Sequence, residues 1–144
     1  MVCTGHTHRI AIVDDDAAVR DSLALLLESY GYAAAAFGSV DEYLRQPGES
    51  CLLLVDQGMA GMSGVEFVQL LRAAGLRTPI LLMTDVAEAR VVAQIDRAEG
   101  CLAVARPINA VVLLERIADA IRTAESRAYG TSRTRSREFS RVPQ

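Results

Sequence analysis

Four short apolar runs each end in a residue that can do chemistry. "IAIV" leads into Asp14-Asp15-Asp16, "CLLLV" into Asp56, "ILLM" into Thr84-Asp85, and "CLAVA" into Arg106 followed by Pro107. Three carboxylate groups delivered to one edge repel one another unless a cation sits among them. Hard oxygen ligands suit Mg²⁺, which keeps several waters and favours phosphate oxygens. The minimal chemistry is a Mg²⁺-dependent phosphate site built on Asp14, Asp15 and Asp56, with the Arg106 cation and the Thr84 hydroxyl as phosphate contacts. Asp16 reads differently: it precedes a helical pattern and is expected to serve as its N-cap.

These residues share an edge only if the elements before them lie side by side. The runs at 10–13, 32–37, 51–55, 80–83 and 101–105 are continuously apolar, as strands buried on both faces are. Helical patterns separate them. Val19, Leu23, Leu26, Leu27 and Tyr30 share a face that stops at Gly31. Val65, Val68 and Leu71 mark a second helix, stopping at Gly75, and Leu113, Leu114, Ile117 and Ile121 a last one after Asn109. Weaker helical segments fall near 39–46 and 86–98. Strand then helix, five times, predicts an α/β fold with a doubly wound five-stranded parallel sheet. In such sheets ligands bind beyond the carboxyl ends of the strands, where all the residues above stand.

The totals agree with one domain. The chain has 144 residues, 51% of them apolar, enough for a core. No apolar run reaches the ~18 residues of a membrane span, and the start "MVCTGHTHR" lacks the apolar centre of a secretory signal, so a cytoplasmic location is expected. Cys3, Cys51 and Cys101 are odd in number and widely spaced, against a disulfide framework. Cys51 and Cys101 lie in apolar runs and read as packing residues. Cys3, His6 and His8 lack the fourth ligand of a metal site. All fifteen basic residues are Arg. The chain divides into an N-terminal tail (1–8), a domain (9–126) and a tail (127–144) carrying Arg127, Arg133, Arg135, Arg137 and Arg141, with Tyr129 and Phe139 as its aromatics. That tail's composition predicts disorder. With a net charge of −3 and so few aromatics, nucleic-acid binding is not expected.

The stretches "IVDDD" (12–16), "LLLVDQGMAGMSG" (52–64), "LLMT" (81–84) and "ARP" (105–107) together resemble the receiver domain of bacterial two-component response regulators, a flavodoxin-like fold. The likeness covers about residues 8–124 and is nearest to the nitrogen-fixation transcription-regulator branch. It implies that Asp56 accepts a phosphoryl group from a sensor histidine kinase. It further implies that Asp15, Asp56 and the carbonyl of Gly58 bind Mg²⁺ directly, Asp14 through water, and that Thr84 and residue 106 contact the phosphoryl group. A receiver of this kind is not itself an enzyme beyond autodephosphorylation. Its partners would be the kinase and a downstream protein. The resemblance also implies a signalling face made by the helix near 86–98, the fifth strand and the last helix, where Arg90 and Arg97 oppose Glu115 and Asp119 and could close a homodimer. That branch continues into a DNA-binding domain, and the residues after 126 are too few to form one; the expectation is a single-domain regulator.

Four positions depart from the family pattern. The family Lys is Arg106, its switch aromatic is Ala103, the small residue after the Thr is Asp85, and the Pro after "DxxM" is Ala60. Arg is bidentate where Lys is a point charge. Asp85 adds a carboxylate beside the site, and an Asp85–Arg106 ion pair in the absence of phosphate is one expectation; Asp85 as a helix cap is the other. The departures leave open an alternative, a pseudo-receiver that binds partners without phosphorylation. A haloacid-dehalogenase phosphatase is excluded: Asp14 to Ala18 fails its Asp-x-Asp-x-Thr/Val pattern, and the chain has no Lys.

Overall fold

The computed structural model describes residues 8–85 and 100–141, with side chains in the last helix described as far as Arg127. Five strands, β1 (Arg9–Val13), β2 (Ala33–Phe37), β3 (Leu52–Asp56), β4 (Ile80–Thr84) and β5 (Cys101–Ala105), form one parallel sheet in the order β2-β1-β3-β4-β5. The helices among the described residues are α1 (Ala17–Ser29), α2 (Val40–Arg45), α3 (Gly64–Ala73) and α4 (Ala110–Arg141). The helical segment expected near 86–98, with Arg90 and Arg97, lies outside the described residues.

Alternation along the strands splits the core between two faces. Ile10, Ile12, Leu52, Leu54, Leu81, Met83 and Val104 pack under α1 and α4, against Leu23, Leu27, Leu113, Ile117 and Ile121. Ala11, Val13, Leu53, Val55, Ile80 and Leu82 face the other way, against Tyr43 of α2 and Phe67, Val68 and Leu71 of α3. This is why the runs are continuously apolar: both faces of each central strand are covered. Each Leu or Ile so buried contributes about 1.5–3 kcal/mol.

Local signals set the helix starts. The Asp16 carboxylate accepts from Ala18 N (2.9 Å) and Val19 N (3.3 Å), the predicted N-cap. Ser63 and Glu66 form a capping box at α3, and Asn109 Oδ1 accepts from Val112 N at 3.1 Å at the start of α4. Gly31, with φ +90°, turns the chain off α1 into β2.

Three expectations change. Tyr30, assigned from periodicity to the buried face of α1, is exposed because the helix ends before it and it serves as the C-cap. The segment from residue 127, expected to be disordered on composition, continues α4 without a break to Arg141. It is poor in apolar residues, but its recurrent Arg is a good helix former and the buried turns at Leu113–Ile121 have already nucleated the helix. Cys51 is buried in the core under α1 and α4, as its reading as a packing residue implied, but it is disulfide-bonded, against the expectation drawn from the cysteine count. It stands at the amino end of β3, where its N–H bonds Arg9 O (2.8 Å), at the rim rather than the middle of the sheet. No helix among the described residues is long and apolar enough to cross a membrane.

Candidate functional site

The sheet order reverses between β1 and β3, and the acidic residues stand just past the carboxyl ends of those two strands. Backbone bonds beyond the strands fix the next residues: Asp14 N donates to Phe37 O (3.1 Å), Gln57 N to Met83 O (2.9 Å) and Arg106 N to Thr84 O (2.8 Å). Asp14, Asp56, Thr84 and Arg106 are therefore placed by the sheet itself, while Asp15 and Gly58 stand in the loops beyond it. Asp14, Asp56 and Thr84 are the buried polar residues among those described; Asp15 is exposed and Arg106 half-buried.

One carboxylate oxygen from each of Asp14, Asp15 and Asp56 lies within 4.8 Å of the others. Each carboxylate is held through one of its two oxygens. Asp14 Oδ1 accepts from Asp16 N (2.9 Å), Asp15 Oδ2 from Ala60 N (3.2 Å), and Asp56 Oδ1 from Gly58 N (3.2 Å). Arg106 Nη2 also donates to Asp56 Oδ1 at 2.6 Å and lies 3.6 Å from Asp14 Oδ2. Burial pushes the Asp14 carboxyl above its ordinary value, and the nearby Asp56 and Asp15 charges push the same way; the Asp16 amide and Arg106 oppose them.

Asp14 Oδ2 is buried with no hydrogen-bond partner. A buried acceptor left so costs about 1–3 kcal/mol, and a hard cation beside it would remove that cost. The donor set is all oxygen, as Mg²⁺ requires. The residues present therefore fit the ion, which would be held by Asp15 and Asp56 with Asp14 close by. Gly58 is brought to the site, and the contact it shows there is its N–H on Asp56.

The structure brings Asp14, Asp15, Asp56 and Arg106 together, and one expectation is corrected. Arg106 makes its ion pairs with Asp56 and Asp14, not with Asp85. The reason is geometric: the guanidinium follows β5's carboxyl end inward toward two buried carboxylates, whereas Asp85 is exposed. The Thr84 hydroxyl donates to Asp85 O at 3.3 Å. His8, weighed as a metal ligand, instead meets Glu125 Oε2 at 3.2 Å, joining the start of β1 to α4. Asp119, offered for a dimer contact, pairs with Arg122 one turn along its own helix.

Sequence reasoning missed three supporting contacts. Arg20 Nη1 donates to Asp14 O (2.7 Å), Gln57 Oε1 accepts from Val65 N (2.8 Å), and Gly64 N donates to Gln57 O (3.0 Å). A backbone partner leaves no mark in residue type, so only the replacement of the family Pro by Ala60, which adds an N–H, could have pointed to any bond of this kind.

The sequence profile of the response regulator receiver domain matches residues 10–118, well over half the chain. The transcriptional regulatory protein FixJ of Bradyrhizobium diazoefficiens is 33% identical over 130 residues, which cover 89% of this chain and 62% of FixJ. The C4-dicarboxylate transport transcriptional regulatory protein DctR of Rhodobacter capsulatus is 31% identical over 122 residues, 82% of this chain and 62% of DctR. The chain thus spans at most about three-fifths of the length of these relatives. Among solved structures, full-length FixJ from B. japonicum superposes with a TM-score of 0.75 at 31% identity, covering 85% of this chain and 61% of that one. Chemotaxis protein CheY4 of Vibrio cholerae, at 23% identity, shares the fold with a TM-score of 0.71 over 79% of this chain and 98% of its own.

Proposed function

The chain belongs to the response regulator receiver domain family, and from that membership we propose that Asp56 accepts a phosphoryl group from a sensor histidine kinase with Mg²⁺ support. A carboxylate oxygen of Asp56 bonds to phosphorus as the P–N bond of the kinase phosphohistidine breaks, and the imidazole leaves with the nitrogen electron pair. Phosphoryl transfer asks the protein mainly for position and charge neutralisation. Mg²⁺ would supply neutralisation at the phosphoryl oxygens. The chain supplies the rest: the Asp56 carboxylate fixed by Gly58 N, the Thr84 hydroxyl at the carboxyl end of the neighbouring strand, and the Arg106 cation already in place. The message then leaves through a protein-protein surface to a downstream partner. The chain acts as acceptor and catalyses nothing beyond loss of its own phosphoryl group, in the cytoplasm where such kinases present their phosphohistidine.

The observation that carries this reading is the three-carboxylate cluster within 4.8 Å with Arg106 on Asp56 Oδ1. Incubation with a phosphohistidine kinase or a small phosphodonor and Mg²⁺, followed by intact mass, tests it. One phosphoryl adduct, lost in Asp56→Asn, is the expected result; no adduct from any donor overturns it. One observation favours a second reading, a pseudo-receiver working without phosphate: Ala103 stands where the switch aromatic belongs, so a Thr84 drawn to the phosphoryl group would have no ring to pull inward.

A further inference from the structure

Each carboxylate of the cluster is anchored by a backbone N–H: Asp14 by Asp16, Asp56 by Gly58, and Asp15 by Ala60. The first two anchors lie two residues from the carboxylate they hold. The third spans from residue 60 back to residue 15, between two different loops. Asp15 is exposed, and the Ala60 bond is the one hydrogen bond shown for its side chain among the described residues. A proline at position 60, as in the pattern the sequence departs from, has no N–H and could not make it.

We propose that the Ala60 amide is a positioning group for the metal-binding carboxylate of Asp15, a task taken on where the usual proline has been lost. By holding Oδ2, it limits the rotamers of an otherwise solvent-facing side chain and leaves Oδ1 as the oxygen available to a divalent cation. It also ties the loop after Asp56, which carries Gly58, to the loop after β1. The two halves of the cation site are thereby set relative to each other before any ion arrives. Proline at this position stiffens its own loop; the Ala60 bond instead fixes one loop against the other. This inference rests on the proposed Mg²⁺ site.

The test is calorimetric titration of the metal-free chain with Mg²⁺ and with Mn²⁺, comparing the parent with Ala60→Pro and Ala60→Ser. The bond is made by the main chain, so Ala60→Ser retains it and Ala60→Pro removes it. Losing one hydrogen bond that orders the ligand weakens cation binding about two- to tenfold. The expected result is that loss in Ala60→Pro alone, with metal-free melting temperatures of all three chains close together. Equal or tighter binding by Ala60→Pro overturns the inference and leaves the cation site standing. Failure of the parent to bind either ion overturns the cation site and this inference together. Should Ala60→Pro fold poorly, Asp15→Ala, which removes the acceptor altogether, supplies a second measurement in the metal-free state. The Ala60 amide then exchanges its hydrogen faster than in the parent if the bond protects it, and an unchanged rate overturns the proposal.

Discussion

Arg106 Nη2 stands 2.6 Å from Asp56 Oδ1, so the cation that follows the fifth strand rests directly on the proposed phosphoacceptor. The same nitrogen lies 3.6 Å from Asp14 Oδ2. The guanidinium therefore occupies part of the space and charge balance that a divalent ion would take. Its side chain is 35% exposed, so water screens the pair and its net worth is modest.

Arg106→Gln should consequently raise Mg²⁺ affinity while lowering the melting temperature of the metal-free chain. Removing the positive charge leaves the carboxylates mutually repelling, which destabilises the empty site and rewards an arriving cation. About 1 kcal/mol in each direction, roughly a fivefold tighter dissociation constant, is expected. Arg106→Lys should fall between, because a point charge keeps the attraction without the planar fork. Calorimetry on the three chains decides it; weaker Mg²⁺ binding in Arg106→Gln would show that the guanidinium helps hold the site in its metal-binding form.

Gly64 sits where α3 meets the carboxyl end of β3. A Cβ there would lie 2.6 Å from Leu82 Cδ2, 2.9 Å from Asp56 O and 2.9 Å from Gln57 Cα. Two of those neighbours are main chain and cannot turn aside. Gly64→Ala should cost about 1–3 kcal/mol, as overpacking does, and slow phosphorylation by displacing Asp56. A thermal melt with a phosphorylation time course tests both; an unchanged melt with normal labelling contradicts the packing argument.

The alternation of strand and helix, the residues at each strand's carboxyl end and the Asp16 cap were legible because each is written in residue type or period. The destination of Arg106 was not. Asp85 was nearer in sequence and plausible in charge, yet the side chain reaches Asp56 and Asp14, a matter of three-dimensional direction. The continuation of α4 beyond residue 126 escaped for another reason. Composition measures how little apolar surface a segment can bury, and a helix already nucleated by Leu113 and Ile117 can extend through residues that would not start one. The bond from Ala60 to Asp15 has a main-chain donor, so the sequence could hint at it only through the loss of the usual proline, which frees an N–H without naming its acceptor.

Asp14 offers a prediction in pH. Its carboxyl is raised above its ordinary value of 3.8, first by burial and then by the neighbouring Asp56 charge. Between 3.8 and the raised folded value the native chain binds more protons than the unfolded one, so this group's penalty shrinks as pH falls through the raised value and is gone below 3.8. The penalty is largest at neutral pH. Asp14→Asn should therefore stabilise the metal-free chain at pH 7 by about 1–2 kcal/mol, roughly 2–8 °C, because Oδ2 no longer carries an unbonded charge. The gain should fade as the pH is lowered toward the ordinary value. With saturating Mg²⁺ the order reverses, since the parent gains the ion's binding energy and the variant gains less of it. Melts from about pH 4 to pH 8, with and without Mg²⁺, carry the test. A gain that stays constant across that range would mean the carboxylate is not the source, and a variant less stable than the parent without metal would mean that Arg106 already compensates the Asp14 charge.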